Sequence, residues 1–331
     1  MNPFKRSVMV ILLLVVIGAA NIGLSQPLTP IQAQEGENTF TPCTGYSQES
    51  GTTVNAGPWA NRLLIAFSED GLTWEPANRI LSDQADVPDV IVTSDGEIRV
   101  YYITWCPKTI RNQIAVASST DGQSWTYQTI TITREDGGQL GMPADPTIEI
   151  TDEGKYRLYF TAQIPPDKHG GSYSAISEDG YNFVFEPGAR FSLPNRNALD
   201  VNVLKIGATW HYFAGGEPGK NLHATSPDGL NFTRLEDFVQ DSIIMSNGIA
   251  VEGGYRYYGF QQMPGSTHIV SFFTTDGETW TLEPGRRLEV DDSTQLEAEV
   301  VKDPAVAQLP DGRWIMIYVS MIPEFPLQKG K

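Results

Sequence analysis

The sequence of 331 residues has few of the side chains that bind transition metals, since it contains only two cysteines and four histidines. So small a number argues against a structural zinc site built from several such ligands. Positive charge is also scarce, with 23 lysines and arginines against 40 aspartates and glutamates. A surface of this charge repels phosphate backbones and anionic lipids. Nucleic acids are therefore poor candidates for a partner, and neutral ligands are better ones.

Long apolar segments are absent apart from one run of 13 residues, which follows Lys5 and Arg6 and extends from Val8 to Ala20. A membrane span needs about 20 such residues, whereas a short apolar core behind a positive start is typical of a secretory signal peptide. We therefore predict a signal peptide with a short leader over residues 1–34 and a secreted or extracytoplasmic product. An uncleaved N-terminal anchor is the alternative. The sequence leaves three cleavage positions open: Ala20, Ser25 and Ala33.

Residues 35–331 then form the mature chain, which has 21 basic and 40 acidic residues and a net charge near −19. Both cysteines lie in this part. In an exported protein such a pair predicts a disulfide, here between Cys43 in the N-terminal segment and Cys106 further on. Two unpaired thiols are the alternative.

A short hairpin motif occurs five times. It reads SEDGLTW from Ser68, and its variants are STDGQSW from Ser119, SEDGYNF from Ser177, SPDGLNF from Ser226 and TTDGETW from Thr274. Asp-Gly suits the two central positions of a type I′ turn, where both residues have positive φ. The Ser or Thr two positions earlier can hydrogen-bond the turn, and the final Trp or Phe can pack over it. We interpret the five aspartates as structural: Asp70, Asp121, Asp179, Asp228 and Asp276.

A second unit alternates with the first and consists of an apolar strand, a glycine-containing turn and an aromatic-rich strand. It reads PDVIVTSDGEIRVYYITW from Pro88, DPTIEITDEGKYRLYFTA from Asp145, LDVNVLKIGATWHYFAG from Leu199, SNGIAVEGGYRYYGF from Ser246 and DPAVAQLPDGRWIMIYVS from Asp303. Two hairpins every 48 to 58 residues predict four-stranded antiparallel blades, repeated five times. The fold class is therefore all-β, a single five-bladed β-propeller over residues 35–331. Since the mature chain opens with a hairpin of the first kind and closes with one of the second, both termini should complete the last blade.

In a propeller the first strand of each blade faces the central channel, so a site is expected where the second-type units start. Counting back seven residues from Gly96, Gly207 and Gly254, and nine from Gly154 and Gly312, reaches Asp89, Asp200, Asn247, Asp145 and Asp303. Asp86 is a near alternative to Asp89. Carboxyl groups crowded around a channel cannot all ionise, so a protonated one faces an ionised one, as glycosidic bond cleavage requires. Two other interpretations are a calcium site and aspartates that simply set the turns.

These strand starts, the Asp-Gly turns, the YRLYFTA-like strands and the S-x-D-G-x-x-W hairpins make the mature chain resemble the five-bladed β-propeller superfamily of glycoside hydrolases, which includes families 43, 32, 68, 117 and 130. The resemblance implies catalysis by acidic residues on the inner strands of the first three blades, without an organic cofactor. Carried over by position, Asp89 would be the base or nucleophile, Asp145 the transition-state stabiliser and Asp200 the acid.

The third position departs from that pattern. Families 43 and 32 have a glutamate there, in motifs such as E-G-P or E-C, whereas NALDVNV has Asp200. Aspartate is one methylene shorter, and a displacement of about 1 Å matters greatly to proton transfer. Three glutamates are alternative acids: Glu217, Glu297 and Glu299.

The hairpin motif is also similar to the Asp-box of sialidases, S-x-D-x-G-x-x-W, but it lacks the residue between Asp and Gly. Sialidases need three arginines around the substrate carboxylate. The arginines available are Arg62, Arg99, Arg111, Arg157 and Arg256, most of them within strand patterns. A sialidase-like enzyme is therefore a less favoured alternative.

Aromatic rings stack on sugar faces, and polar side chains near the channel could hold a sugar. The candidates for substrate binding are Asp86, Trp105, Asn247 and Asp303, with Trp59, Trp210 and His223 as further aromatic positions. The repeat tryptophans Trp74, Trp125 and Trp280 are assigned to packing. Our hypothesis is an exported glycoside hydrolase that acts on a neutral oligosaccharide or polysaccharide. The alternatives are a carbohydrate-binding or interaction propeller without turnover, and a metal-stabilised scaffold.

Overall fold

The structure, a computed structural model, describes residues 38–46, 57–106, 113–217, 220–240, 242–261 and 267–325. The predicted signal peptide lies outside these ranges. The described residues form strands and turns, with two short 3₁₀ turns at Pro58–Ala60 and Asp292–Thr294 and no α-helix. Within these ranges, no helical segment has the length and hydrophobicity needed to cross a membrane.

The strands form five separate sheets, one for each blade. The N-terminal hairpin consists of β1 (Asn61–Ser68) and β2 (Glu75–Asp83). The first blade contains β3 (Ala85–Val92), β4 (Ile98–Thr104), β5 (Gln113–Ser119) and β6 (Thr126–Thr129). The second contains β8 (Ala144–Ile150), β9 (Tyr156–Ala162), β10 (Gly171–Ser177) and β11 (Asn182–Phe191), with β7 (Thr131–Thr133) parallel to β11. The third contains β12 (Leu199–Ile206), β13 (Thr209–Glu217), β14 (Lys220–Ser226), β15 (Thr233–Arg234) and β16 (Phe238–Val239). The fourth contains β17 (Ile243–Val251), β18 (Gly254–Gln261), β19 (His268–Thr274), β20 (Thr281–Leu282) and β21 (Leu288–Glu289).

The fifth blade closes the ring with strands from both ends of the chain. Its inner strands, β22 (Val301–Gln308) and β23 (Trp314–Met321), are C-terminal, and β1 pairs antiparallel with β23 from Asn61↔Met321 to Ser68↔Trp314. The order is β2-β1-β23-β22. The prediction of a five-bladed propeller closed by both termini is therefore confirmed. The predicted disulfide between Cys43 and Cys106 is also present.

The turns of the first-type hairpins differ from the type I′ turns expected. Only the glycines, such as Gly71 with φ +69°, have positive φ, and the aspartates before them do not, so the type I′ prediction is wrong. The aspartate instead accepts hydrogen bonds through its side chain: Asp70 Oδ1 accepts from the backbone N–H groups of Leu72 and Thr73 at 2.8 and 2.7 Å. Ser68 Oγ accepts from the N–H of Gly71 at 2.9 Å, which confirms the predicted role of the serine.

Three of these turn glycines also accept a hydrogen bond from a tyrosine of the neighbouring blade. The hydroxyl of Tyr101 on β4 donates to the carbonyl of Gly180 at 2.9 Å, and Tyr159 on β9 donates to Gly229 at the same distance. Tyr258 on β18 donates to Gly71 of the closing blade at 2.7 Å. The repeated hairpin is thus a docking point between blades, which supports the structural interpretation of its aspartates.

The inner strands β3, β8, β12, β17 and β22 lie next to one another around the ring, with β22 against β3. They line the central channel, and all of them begin at the same end of it. This arrangement places the start of each inner strand at one mouth of the channel.

Candidate functional site

Every inner strand has a β-bulge near its start, where two residues of the inner strand lie opposite one residue of the strand beside it. In the first blade the register changes between Asp86 and Asp89, and in the second between Ala144 and Thr147. The other changes are Leu199/Asn202, Met245/Asn247 and Lys302/Ala305. Bulges redirect side chains and are frequent beside functional sites.

Three aspartates share the first position of the bulge. Asp145, Asp200 and Asp303 have φ values of +51°, +53° and +46°, and the equivalent position in β3 is Val87 with +46°. This left-handed conformation is uncommon for residues other than glycine. Asp86 and Lys302 directly precede the bulge in β3 and β22, where these two strands meet. The structure therefore brings Asp86, Asp145, Asp200 and Asp303 to one mouth of the channel.

Asp89 does not lie at the level of Asp145 and Asp200. Its equivalents in the other inner strands are Thr147, Asn202, Asn247 and Ala305, as the strand register shows. The expectation that all the aspartates are equivalent is wrong, because the count used seven residues from Gly96 but nine from Gly154. These two glycines have the same place in five-residue turns, so the counts should have been equal.

These four aspartates at the channel mouth are called the mouth cluster below. One lysine and main-chain hydrogen bonds hold the cluster together. Lys302 Nζ lies 2.6 Å from Asp86 Oδ1 and also contacts Asp303 Oδ2. Asn61 Nδ2 donates to Asp86 Oδ2 at 2.8 Å. The backbone N–H of Asp200 donates to Asp145 Oδ2 at 3.2 Å, so these two residues are adjacent. Asp86 and Asp303 are buried, whereas Asp145 and Asp200 are half-buried.

Four carboxyl groups around one ammonium group cannot all be ionised at low cost. Burial, followed by the neighbouring Asp86, raises the pKa of Asp145. Burial, followed by Asp145 and Asp303, raises the pKa of Asp200 well above its ordinary value. Burial raises the pKa of Asp303 to about 6, against the opposing effect of Lys302. Crowding and burial therefore favour a protonated carboxyl group beside ionised ones in this cluster.

Asp89 ties inner strands together one level below the cluster. Its Oδ2 accepts from the N–H of Ile148 at 2.7 Å, and its Oδ1 accepts from Asn247 Nδ2 at 2.9 Å. Asn247 Oδ1 in turn accepts from the N–H of Val306 at 2.9 Å. Burial raises the pKa of Asp89 to about 7, although these hydrogen bonds oppose the effect. Asp89 and Asn247 thus link β3, β8, β17 and β22.

Beyond Asp89 the channel widens into a cavity of about 390 Å³, lined by apolar side chains and by Glu149 and Lys205. Burial, with the nearby Asp89, raises the pKa of Glu149 to about 8. At the mouth cluster the enclosed space is only about 10 Å³, room for about one water molecule. A larger ligand of the cluster would therefore lie over the mouth.

The other predicted residues have varied surroundings. Trp105 packs edge-on against Trp59 at 5.4 Å between ring centroids, and its backbone N–H donates to the carbonyl of Gln84, two residues before Asp86. Glu297 is buried and accepts from Tyr318 Oη at 2.6 Å and from the N–H of Asp291 at 2.7 Å. The side chain of Glu299 is exposed.

Three candidates remain: Glu217, Trp210 and His223. Glu217 ends β13, and its side chain lies outside the described part of the chain. Trp210 is buried, and a Cβ on Gly229 of its own blade would meet its ring at 3.2 Å. His223 stacks on Phe213 at 4.6 Å.

In the part of the chain that the structure describes, the arginines considered for a sialidase do not form a triad. Arg99 pairs with Glu97 at 2.6 Å, Arg157 with Glu186 at 3.1 Å and Arg256 with Glu283 at 2.8 Å, each within its own blade. Arg62 pairs with Asp83 at 2.7 Å, and Arg111 lies outside the described residues.

Lys302 is the residue that sequence reasoning missed. It stands in VVKDPAV, directly before one of the aspartates that were singled out. It is the only basic residue directly before or at the Asp-containing strand starts, in a chain with few positive charges. This difference in charge is the sequence feature that could have pointed to Lys302. Asn61 could not be predicted, because it reaches the cluster from β1 through ring closure.

The fold and the acidic channel mouth place the chain among five-bladed β-propellers of the kind found in glycoside hydrolases. A thermostable family-43 glycoside hydrolase has a similar structure, with a TM-score of 0.56 and 13% identity over 72% of this chain and 88% of that one. An α-L-arabinofuranosidase from Clostridium thermocellum gives 0.55 and 16% over 71% and 81%. A glycosyl hydrolase from Bacteroides ovatus gives 0.50 and 14% over 71% and 83%.

No protein-family model matches the chain, and no curated protein sequence matches it. At 13 to 16% identity, the likeness to these three structures establishes the shared fold.

Proposed function

We propose that the chain is an exported glycoside hydrolase that cleaves a neutral oligosaccharide or polysaccharide at the mouth cluster. The observation that carries the proposal is the adjacency of Asp145 and Asp200 in a group of four carboxyls, where burial and the neighbouring carboxyls raise the pKa of Asp200 well above its ordinary value. An acid next to a carboxylate is the equipment for glycosidic bond cleavage. The similar fold of several glycoside hydrolases is consistent with it.

In this proposal Asp200 is the acid and Asp145 is its ionised partner. Asp200 has the strongly raised pKa, and both side chains are half-buried, so both can reach a ligand over the mouth. Asp200 would give its proton to the glycosidic oxygen as the bond to the anomeric carbon breaks. A water molecule would then add to that carbon and return a proton to the Asp200 carboxylate. The Asp145 carboxylate would stabilise the positive charge that develops on the sugar ring. Asp86 and Asp303 stay paired with Lys302.

The resemblance gives Asp89 the role of base or nucleophile, but its geometry favours a linking role. Three donors, on Val90, Ile148 and Asn247, occupy its two oxygens. Its level in the channel is below the Asp145 and Asp200 pair. We propose that Asp89 orders the inner strands beneath the catalytic pair.

A neutral sugar is the substrate class that suits this mouth. The cluster carries more carboxyl groups than cations, so an anionic sugar would be repelled. The Trp59 and Trp105 pair lies near Asp86, since the Nε2 of Gln84 donates to the Trp59 carbonyl at 3.3 Å. Aromatic rings at this rim offer apolar faces for a sugar ring.

A calcium ion at this ring stays a prediction. Among the residues that the structure describes, no group of three or more His, Cys, Asp or Glu side chains is arranged to hold a metal ion. The Lys302 ammonium already brings a positive charge into the cluster.

The test is an activity screen of the mature chain on aryl glycosides and on plant and microbial glycans. Replacement of Asp145 or Asp200 by asparagine should lower kcat/KM by a factor of about 10² to 10⁴, the usual contribution of general acid–base catalysis. Asp152→Asn is the matched control, because Asp152 is exposed and pairs with Lys205 at the other end of β8.

Three outcomes would contradict the proposal in different ways. Hydrolysis that survives both Asp145→Asn and Asp200→Asn would move the chemistry elsewhere. A loss confined to Asp89→Asn, with a folded protein, would restore Asp89 as the base. Sugar binding without turnover in the wild type would make the chain a carbohydrate-binding propeller. Export is tested by the N-terminus of the secreted product, which should begin after residue 20, 25 or 33.

A further inference from the structure

Lys302 lies in the mouth cluster but does not contact all of its carboxyl groups. Its ammonium is within 2.6 Å of Asp86 and contacts Asp303, whereas no contact joins it to Asp145 or Asp200 among the described interactions. Its side chain is 22% exposed, so little water competes for the ammonium. The lysine thus divides the four carboxyls into a paired set and an unpaired set.

The groups that face the cluster come from every inner strand. Asp86 comes from β3, Asp145 from β8, Asp200 from β12, and Lys302 with Asp303 from β22. The strand β17 contributes Met245 and Ser246, which do not titrate in this range. Tyr212 of β13 is near Asp200 and donates to or accepts from Ser172 at 2.7 Å. Within the described residues, Lys302 is the one cation in contact with these carboxyls.

We propose that Lys302 is a positioning residue that holds Asp86 and Asp303 as carboxylates and so leaves the proton of the cluster with Asp145 and Asp200. An ammonium within about 4 to 6 Å of an aspartate favours its ionised form, typically by 1 to 3 pH units. The two carboxylates then repel further negative charge at the neighbouring bulge positions. Lys302 thereby determines which pair of carboxyl groups holds the proton, although it need not touch the substrate. The inference rests on the proposed function in one respect, the catalytic role of Asp145 and Asp200.

The first experiment measures protonation and needs no substrate. Side-chain carboxyl carbons of the aspartates are followed by NMR between pH 3 and 9, with single Asp→Asn variants for assignment. In the wild type, Asp303 should ionise at lower pH than Asp200. In Lys302→Met its midpoint should rise by about 1 to 3 pH units, and Lys302→Arg should restore it.

Two results would overturn the inference. One is a wild type in which Asp303 ionises after Asp200; this needs no variant, so a Lys302→Met protein that fails to fold does not remove the test. The other is a folded Lys302→Met protein with an unchanged Asp303 midpoint. Lys205→Met is the control, because Lys205 pairs with Asp152 at the opposite end of the channel wall.

The second experiment links the lysine to hydrolysis once a substrate is found. The alkaline limb of the pH profile of kcat/KM, which reports the loss of the Asp200 proton, should move to lower pH in Lys302→Met, and return in Lys302→Arg. A purely structural role would lower kcat/KM without moving the limb, and that result would refute the positioning role. If no hydrolysis is found, the proposed function fails while the NMR titration still decides the inference.

Discussion

His211 on β13 and His223 on β14 form a buried imidazole pair whose neutrality should make the protein sensitive to acid. Their rings stack with centroids 5.5 Å apart, and His211 Nδ1 lies 3.3 Å from His223 Nε2. Burial, with the neighbouring His211, lowers the pKa of His223 from 6.5 to about 4. Burial also lowers the pKa of His211, against the opposing effect of Asp276.

The sign of the effect follows from which state binds the proton. Between pH 6.5 and 4 the unfolded chain protonates His223 and the folded chain does not, so the free energy of unfolding falls as the pH falls. Each pKa unit corresponds to 1.36 kcal/mol, so the full shift of His223 is worth about 3 kcal/mol and about 2 kcal/mol of it is lost by pH 5. The contribution is fully present above pH 6.5.

Urea unfolding of the wild type and of His223→Phe at pH 7.5 and pH 5 measures this contribution. Phenylalanine keeps a flat ring beside Phe213, whose ring is parallel to that of His223 within 4°. The fall in unfolding free energy between the two pH values should be smaller in the variant by about 2 kcal/mol. His169→Gln, in the loop after β9, is the control and should behave as the wild type. An equal fall in His223→Phe and wild type, or an NMR titration of His223 near 6.5, would refute the reasoning.

Three further predictions concern other parts of the fold. The double variant Cys43→Ser, Cys106→Ser opens a cross-link over 63 residues and should lower the free energy of unfolding by up to about 4 kcal/mol in urea titrations. Gly229→Ala should lower the free energy of unfolding by about 3 kcal/mol, because its Cβ would lie 2.8 Å from a tyrosine hydroxyl. Gly154 is also left-handed but has open space around it, so Gly154→Ala should lower the free energy of unfolding by about 1 kcal/mol. Equal losses would contradict the docking role. Glu149→Gln should exceed the wild type in stability by about 2 kcal/mol at pH 8 and match it near pH 4.5. Between these pH values the unfolded chain releases the Glu149 proton while the folded chain keeps it, so the free energy of unfolding of the wild type falls as the pH rises from 4.5 and levels off above 8. A less stable variant at pH 8 would show that the carboxylate is tolerated there.

The blade count and the closure could be predicted because they depend on periodic patterns. Five Asp-Gly hairpins and five aromatic-rich strands alternate in the sequence, and the unmatched units at its two ends specify the pairing of β1 with β23. The turn type could not be predicted from Asp-Gly alone. The side chain of Asp70 bonds the next turn residues, and this local geometry replaces the positive φ that a type I′ turn requires.

The levels of Asp89 and Asp145 were within reach of the sequence, but the bulges were not. Asp89 lies seven residues before Gly96 and Asp145 nine before Gly154, so equal counts from these turns would have separated them. The pairing of Asp89 with Tyr101, and of Thr147 with Tyr159, agrees with that separation. A bulge places two residues opposite one and disrupts the ladder locally, and no pattern in the sequence marks where it lies.

The aspartates at the bulge positions are not required by the shape of the backbone. Val87 adopts the same left-handed conformation in β3, and Met245 is at the corresponding place in β17, so the bulge accepts side chains without charge. Burying carboxyl groups close together costs free energy, and Lys302 offsets that cost only for Asp86 and Asp303. Asparagine would fit a left-handed position at least as well and would avoid the repulsion between Asp145 and Asp200. A purely structural explanation therefore accounts for Lys302 and its two partners but leaves the Asp145 and Asp200 pair without a benefit. The proton transfer that we propose at the channel mouth would supply that benefit, and it would assign the chemistry to the two carboxyls that Lys302 does not contact.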